Sequence, residues 1–292
     1  MSILLLADSG STKTEWAILL PEQPPITIRT DGLNPYFQTD EHLRQTLQSQ
    51  LLPQLPALVS SQAVDVFFYG AGCTNSSING RVETVLRATL PSVESVCVAS
   101  DMLGAARSVA GHSSGIVCIL GTGANACFYD GQQVASPSYS LGFWLGDEGS
   151  GANLGKRLVT AYLHDQLPDP LRTLFADRYH LDRLLVLDNA YNKPFPNRYF
   201  AQFAPFLSEH QQQPFCRDLV QAAFTDFVRL YLLRLLQADT MPVHMVGSVA
   251  HHFQPLLEQV LQQHQLLPGQ IVQAPMPGLV AFHDPSSSSL TA

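Results

Sequence analysis

Two short apolar runs stand 113 residues apart in this chain, and each breaks into a turn of small and polar residues before resuming. The first spans residues 3–20 (ILLLADSGSTKTEWAILL) and the second 116–129 (IVCILGTGANACFY). Aligning Gly10 with Gly123 also places Asp8 on Gly121. An apolar run this short, bounded by turn residues, reads as a buried strand rather than a helix. A strand–turn–strand unit met twice points to two related lobes. The 292 residues suffice for both, being more than one ordinary domain of roughly 100–200 residues needs.

Between the two units the pattern alternates. Residues 40–52 have helical spacing, 64–69 (VDVFFY) read as a strand, 78–90 as a helix, 93–99 as a strand and 101–110 as a helix. Strands alternating with helices predict an α/β domain. Beyond residue 151 the chain turns helix-rich, with helices expected over 152–164, 202–210, 218–237 and 254–265 and helical patches over 171–190. One strand, 243–246, is expected inside this half, with a loop over 192–198. The small polar stretch 111–115 (GHSSG) reads as the linker, and the serine-rich tail 284–292 as disordered.

Charged residues make up only 14% of the chain, and the net charge is −8 with no basic cluster. This argues against nucleic acid and anionic membranes as partners, since both need concentrated positive charge. No apolar stretch reaches the roughly 18 residues of a membrane span. The five cysteines include no CxxC pair, and the first residues do not read as a signal peptide. The expectation is a reduced, cytoplasmic protein.

The turn 8–14 (DSGSTKT) has the chemistry of a phosphate cradle. Gly10 permits close backbone approach, and loop amides with the Ser11 and Thr12 hydroxyls can face phosphate oxygens. Lys13 can add charge or stay solvated, and Asp8 at the strand end can hold Mg²⁺ through water. Gly121, Thr122 and Gly123 of the second turn offer the same chemistry. The plainer alternative is a pair of ordinary hairpin turns; neither is a P-loop. Asp101 follows a strand, where α/β folds place ligands. At an ordinary pKa of about 3.9 it is ionised at neutral pH, and it could equally cap the helix after it.

The segments DSGSTKTEW, SDMLGAA, GTGAN, GDEGSG and VGSVA occur in that order between Asp8 and about Ala250. Together they resemble the actin-like ATPase and sugar-kinase superfamily, in its BadF/BadG/BcrA/BcrD-type branch that contains N-acetylglucosamine kinases. The resemblance implies an α/β, two-lobe, ribonuclease-H-like fold with a helix-rich second lobe. The lobes would span 1–112 and 113–275, with 276–292 returning toward the first. It implies that ATP and Mg²⁺ are the cofactors and that Gly247 and Ser248 face the adenosine.

It also gives Asp101 the role of base toward an amino-sugar hydroxyl, most simply O6 of N-acetylglucosamine. Asn34, Asn125, Asp147 and Glu148 would contact the sugar, with Gly142 bringing backbone close. The bland alternatives are a turn at Asn34-Pro35 and helix capping by Asp147 and Glu148. Two departures stand out. Leu141 replaces the aromatic that mammalian N-acetylglucosamine kinases carry before the glycine, with Phe143 and Trp144 following it. Ser9 replaces the commoner glycine. Family members are often dimers, so a homodimer stays open by analogy. Three other readings share motifs with this one: an N-acetylmuramic acid or other amino-sugar kinase, a non-catalytic ATP- and sugar-binding sensor, and an ATP-driven dehydratase activator carrying an iron–sulfur cluster.

Overall fold

The structure, a computed structural model, describes residues 3–137, 140–235, 237 and 239–284. The tail expected to be disordered falls, from 285 onward, outside the described residues. The chain divides into two compact units, Met1–His112 with Pro275–Ala292, and Ser113–Ala274.

In the first unit the apolar run becomes β1 (Ile3–Ser9), and the chain returns as β2 (Lys13–Leu19) and β3 (Ile26–Asp31). Next come α1 (Asp40–Thr46), β4 (Val64–Gly70), α2 (Ser76–Thr89), β5 (Val93–Ser100) and α3 (Asp101–Ala110). The sheet order is β3-β2-β1-β4-β5. β1 pairs antiparallel with β2 and parallel with β4, which is parallel to β5. Being central, β1 sends alternate side chains to opposite faces, both covered, so it is apolar from Ile3 to Ala7 and turns polar only at its end, Asp8 and Ser9. Leu5 and Ala7 join a core with Trp16, Phe68, Val82 and Leu86, whereas Leu6 joins Ala17 and Tyr69 on the other face. Each large side chain so buried stabilises the unit by about 1.5–3 kcal/mol. The helix starts are encoded locally: Asn75 accepts from the Ile78 N–H and Ser100 from the Leu103 N–H.

The second unit repeats the plan. β6 (Gly115–Leu120), β7 (Ala124–Tyr129) and β8 (Val134–Pro137) precede α4 (Gly142–Leu145) and α5 (Gly151–Leu163). Then come α6 (Asp169–Tyr179), α7 (Arg183–Tyr191), α8 (Pro196–Ala201), α9 (Ala204–Glu209) and α10 (Pro214–Phe227). The unit closes with β9 (Pro242–Val246), α11 (Ser248–His252), α12 (Gln254–Gln263) and β10 (Leu267–Val272). Its sheet order, β10-β9-β6-β7-β8, is that of the first sheet with the same parallel and antiparallel pairings. Phe175, Phe203, Phe206, Phe224, Phe227 and Phe253, all buried, fill the helical core against Leu154 and Leu158 of α5.

Two expectations are corrected here. The helix-rich half holds two strands rather than one. Pro268 and Gly269 hide β10 in the sequence; they are tolerated because β10 pairs only with β9, at the sheet edge, across an irregular register. The expected loop 192–198 gives way to α8 from Pro196, a proline at the helix start where its missing N–H costs nothing.

The chain ends its described course as α13 (Met276–His283), part of the first unit. Met276 and Leu279 complete the face of Leu6, Ala17 and Tyr69. Gly278 lies so close to α3 that a Cβ there would sit 2.0 Å from the Ser108 carbonyl oxygen. Arg107 Nη1 donates to the Tyr69 hydroxyl at 2.7 Å, and that hydroxyl shares a second hydrogen bond, of 2.8 Å, with His283 Nε2. No helix among the described residues is long and apolar enough to cross a membrane.

Candidate active site

The candidate residues of the first unit gather at the carboxyl end of its parallel strands. Pairing of Asp8 with Tyr69, and of Tyr69 with Ala99, brings Asp8 and Asp101 to the same end of the sheet. Ser100 caps α3, leaving Asp101 as the first helical residue, with its Oδ1 accepting from the Met102 N–H at 2.9 Å. Capping is therefore the serine's task and not the aspartate's. Burial, partly offset by the Met102 N–H, raises the Asp101 pKa from 3.8 to about 6, rather than leaving it at its ordinary value. Burial and then the nearby Asp101 and Glu15 raise Asp8 to about 7, with Lys13 opposing.

The turn after β1 is braced from behind. Gly10 N–H donates to the Lys13 carbonyl, and Gly32 N–H to the Thr12 carbonyl. A Cβ on Gly32 would meet the Gly10 carbonyl oxygen at 2.4 Å, so only glycine fits there. Ser9, buried and free of the left-handed region, shares a 2.7 Å hydrogen bond with Thr14, and both hydroxyls accept from the Leu33 N–H. This is what serine adds in place of glycine. Asn34 is buried; its Nδ2 donates to Ser11 Oγ at 2.9 Å, and its Oδ1 accepts from the Tyr36 N–H at 3.0 Å. Asn34 thus ties the first turn to the loop after β3. Thr12 and Lys13 are exposed.

In the second unit the turn 121–123 closes through Gly121 N–H to the Gly123 carbonyl, and the first amides of α5 donate to the Gly121 and Thr122 carbonyls. Asp147 is buried and left-handed, with φ of 58°. Its Oδ1 accepts from the Ala124 N–H at 3.2 Å and from Ser140 Oγ at 3.3 Å. Burial raises its pKa, with those donors and Lys156 opposing. Ser150 caps α5, so neither Asp147 nor Glu148 does. Asn125, on β7, accepts from the Ala126 N–H. Gly142 has φ of 70° and open space around it. Gly247 has φ of 131°, and a Cβ there would lie 2.2 Å from the Leu120 carbonyl oxygen, so a glycine is required where β9 passes to α11 and Ser248. Of the two aromatics beside Gly142, Phe143 stacks on Phe200 under Lys156, whereas Trp144 stacks on Tyr191 and is 54% exposed.

Sequence reasoning missed Gly32, Ser140 and Tyr231. The Tyr231 hydroxyl accepts from the Asp147 N–H at 2.9 Å and donates to Glu148 Oε2 at 3.1 Å. The only sequence signal was an aromatic in an apolar helical stretch, which reads as core.

A sheet of order 3-2-1-4-5 built twice, with a small-residue turn between the first two strands of each copy and carboxylates at the strand ends, defines an actin-like ATPase fold. No family model matches the chain, and neither does any curated protein. Among solved structures, one from Porphyromonas gingivalis described as a "putative N-acetylglucosamine kinase" is 40% identical with a TM-score of 0.91, over 96% of this chain and 98% of that one. A protein of the same description from Chromobacterium violaceum is 22% identical with a TM-score of 0.76, over 97% and 99%. A ROK family glucokinase from Streptomyces griseus, in complex with glucose and AMPPNP, shares the fold at 15% identity and a TM-score of 0.53, over 96% of each chain. The chain belongs to the sugar-kinase family of the actin-like ATPases.

Proposed function

We propose that this protein is an ATP-dependent amino-sugar kinase that phosphorylates O6 of N-acetylglucosamine, with Asp101 as the base. The observation that carries this reading is the Asp101 carboxyl: buried at the end of β5, held by one backbone N–H, with a pKa near 6. A base serves best with a pKa near the working pH, and at pH 7 such a group is mostly ionised and ready to take a proton. The likeness to the Porphyromonas gingivalis protein supports the choice of sugar.

The residues present fit the cofactors. Asp8 and Asp101 are hard oxygen donors, and burial first, with the charges of Asp101 and Glu15 after it, leaves Asp8 near 7, a burden that a cation would relieve. Among the described residues no three acidic, histidine or cysteine side chains form a metal cage, as suits an ion held by one or two carboxylates together with phosphates. When bound, ATP with Mg²⁺ supplies the transferable phosphoryl group and the charge that neutralises it. In the first unit, Gly10, Ser11, Thr12 and Lys13 would offer phosphate contacts and Asn34 a sugar contact. In the second unit, Gly121, Thr122 and Gly123 would offer phosphate contacts, Gly247 and Ser248 would face the adenosine, and Asn125, Gly142, Asp147 and Glu148 would contact the sugar. Asp101 Oδ accepts the hydroxyl proton as that oxygen attacks. A loose transition state demands little more than this orientation and a modest base.

One observation favours a second acceptor. Lys156, its ammonium over the Phe143 ring and close enough to oppose the Asp147 shift, would suit a sugar bearing a carboxylate, as N-acetylmuramic acid does. The test is coupled ADP release with Mg-ATP against N-acetylglucosamine, N-acetylmuramic acid, N-acetylmannosamine, glucosamine, glucose and no sugar. Turnover fastest with N-acetylglucosamine, with phosphate found on O6 by NMR, is expected. Preference for N-acetylmuramic acid selects the second acceptor. No stimulation by any sugar, with nucleotide binding intact, overturns the kinase reading in favour of a sensor or dehydratase activator.

A further inference from the structure

We propose that Tyr231 is a positioning residue that holds the acceptor-binding turn in its working shape before any ligand arrives. The inference rests on the reading of Asp147 and Glu148 as sugar contacts. Three observations carry it. First, the turn is conformationally demanding: Asp147 is left-handed with φ of 58°, and Gly149 has φ of 76°. A non-glycine residue in that region persists only when its surroundings impose it. Second, one hydroxyl ties two consecutive residues. An amide can only donate, so the Tyr231 oxygen must accept from the Asp147 N–H, at 2.9 Å, and its single proton is left for Glu148 Oε2, at 3.1 Å. The same contact therefore sets the backbone of one carboxylate residue and the side chain of the next. Third, the tyrosine cannot move away. Its ring is 3% exposed and stacks on Phe227 at 5.0 Å, and a Cβ on Gly146 would come within 3.1 Å of its hydroxyl.

Tyr231 reaches this place from a π-helical turn, Val228–Leu232, that continues α10. A π turn carries an extra residue and so rotates its later side chains away from the α-helical register, and such turns recur at functional sites. The Asp147 carboxylate meanwhile accepts from the Ala124 N–H at the start of β7 and from the Ser140 hydroxyl, so the turn is clamped at its backbone by Tyr231 and at its side chain by these two donors.

Tyr231→Phe removes one oxygen and keeps the ring stack. The expected result is a sugar KM raised about tenfold or more, with kcat within about threefold and ATP KM unchanged, the pattern of lost ground-state binding. A sugar KM within twofold of wild type, even with a lowered melting temperature, would show a merely structural tyrosine and overturn the proposal. Asp147→Asn is measured in parallel. If it leaves sugar KM unchanged, the acceptor reading of the turn fails and the proposal with it. If it raises KM while Tyr231→Phe does not, only the positioning role fails. Hydrogen exchange on the wild-type protein is independent of any variant: the amides of Gly146 and Asp147, which donate to the Gly142 carbonyl and the Tyr231 hydroxyl, are expected to be protected equally with and without N-acetylglucosamine. Fast exchange that slows only on sugar binding would sink the idea of a preformed turn.

Discussion

Asp8 and Asp101 carry both the proposed chemistry and a cost to stability. Each is raised from 3.8, Asp101 to about 6 and Asp8 to about 7, first of all by burial. Between those values and the unfolded pKa, the folded chain holds more protons than the unfolded one. Their favourable contribution is thus complete below pH 3.8 and is lost as pH rises through about 6 and about 7. Asp101→Asn is expected to lower kcat by roughly 10²–10⁴, the range of a lost general base. The same variant should raise the melting temperature at pH 8, in EDTA without nucleotide, because the isostere carries no charge to bury; the gain is on the order of 1 kcal/mol. Near wild-type kcat removes Asp101 from the mechanism. An unchanged or lower melting temperature contradicts the burial argument.

At the scale of elements, α13 is fastened to β4 and α3 by a polar clasp inside an apolar seam. His283 shares a hydrogen bond with Tyr69 while Arg107 stands beside it, and its pKa is lowered from 6.5 to about 4, by burial first and Arg107 second. Here the unfolded chain binds the extra proton. The stabilising contribution is present above pH 6.5 and is lost as pH falls through about 4. Glutamine can donate to or accept from Tyr69 and cannot titrate. Urea unfolding of wild type and His283→Gln should therefore give similar stabilities at pH 7.5. At pH 4.5 the wild type should have lost about 1–2 kcal/mol relative to the variant. Because Asp8 and Asp101 shift the opposite way over the same range, the difference between the two proteins, rather than either curve, isolates the histidine. A constant difference across pH would show that His283 is not buried neutral.

For the whole molecule, the decisive feature is one strand order built twice, with the chain's last described helix given to the first copy. Met276 and Leu279 supply apolar surface that the first unit cannot find elsewhere, since Leu6, Ala17 and Tyr69 face them. A chain ending at Ala274 forfeits two such burials, each about 1.5–3 kcal/mol. It should lose hydrogen-exchange protection across residues 3–112 while residues 115–272 keep theirs. Equal loss in both units would show that they unfold as one, and no loss would show that α13 is only an ornament on the first.

Much of the plan was legible because it is local. The strands flanking both turns, the helices expected over 78–90, 101–110 and 152–164, and the placing of Asp101 after a strand all come from periodicity within a few residues, whereas the caps Asn75 and Ser100 emerged only in the structure. The edge strand β10 was hidden by Pro268 and Gly269, whose cost vanishes only because one side of that strand goes unpaired. Tyr231 could not be connected with Asp147, 84 residues away, nor Tyr69 with His283, 214 residues away, because a hydrogen bond across such a separation leaves no periodic trace in the chain. The sequence by itself determined two related α/β halves and which residue types line their turns. The tertiary structure alone decided which carboxylates lie close enough to shift one another, which donors clamp the strained turn, and where the last helix docks. Those depend on burial and on partners that only the folded chain brings together.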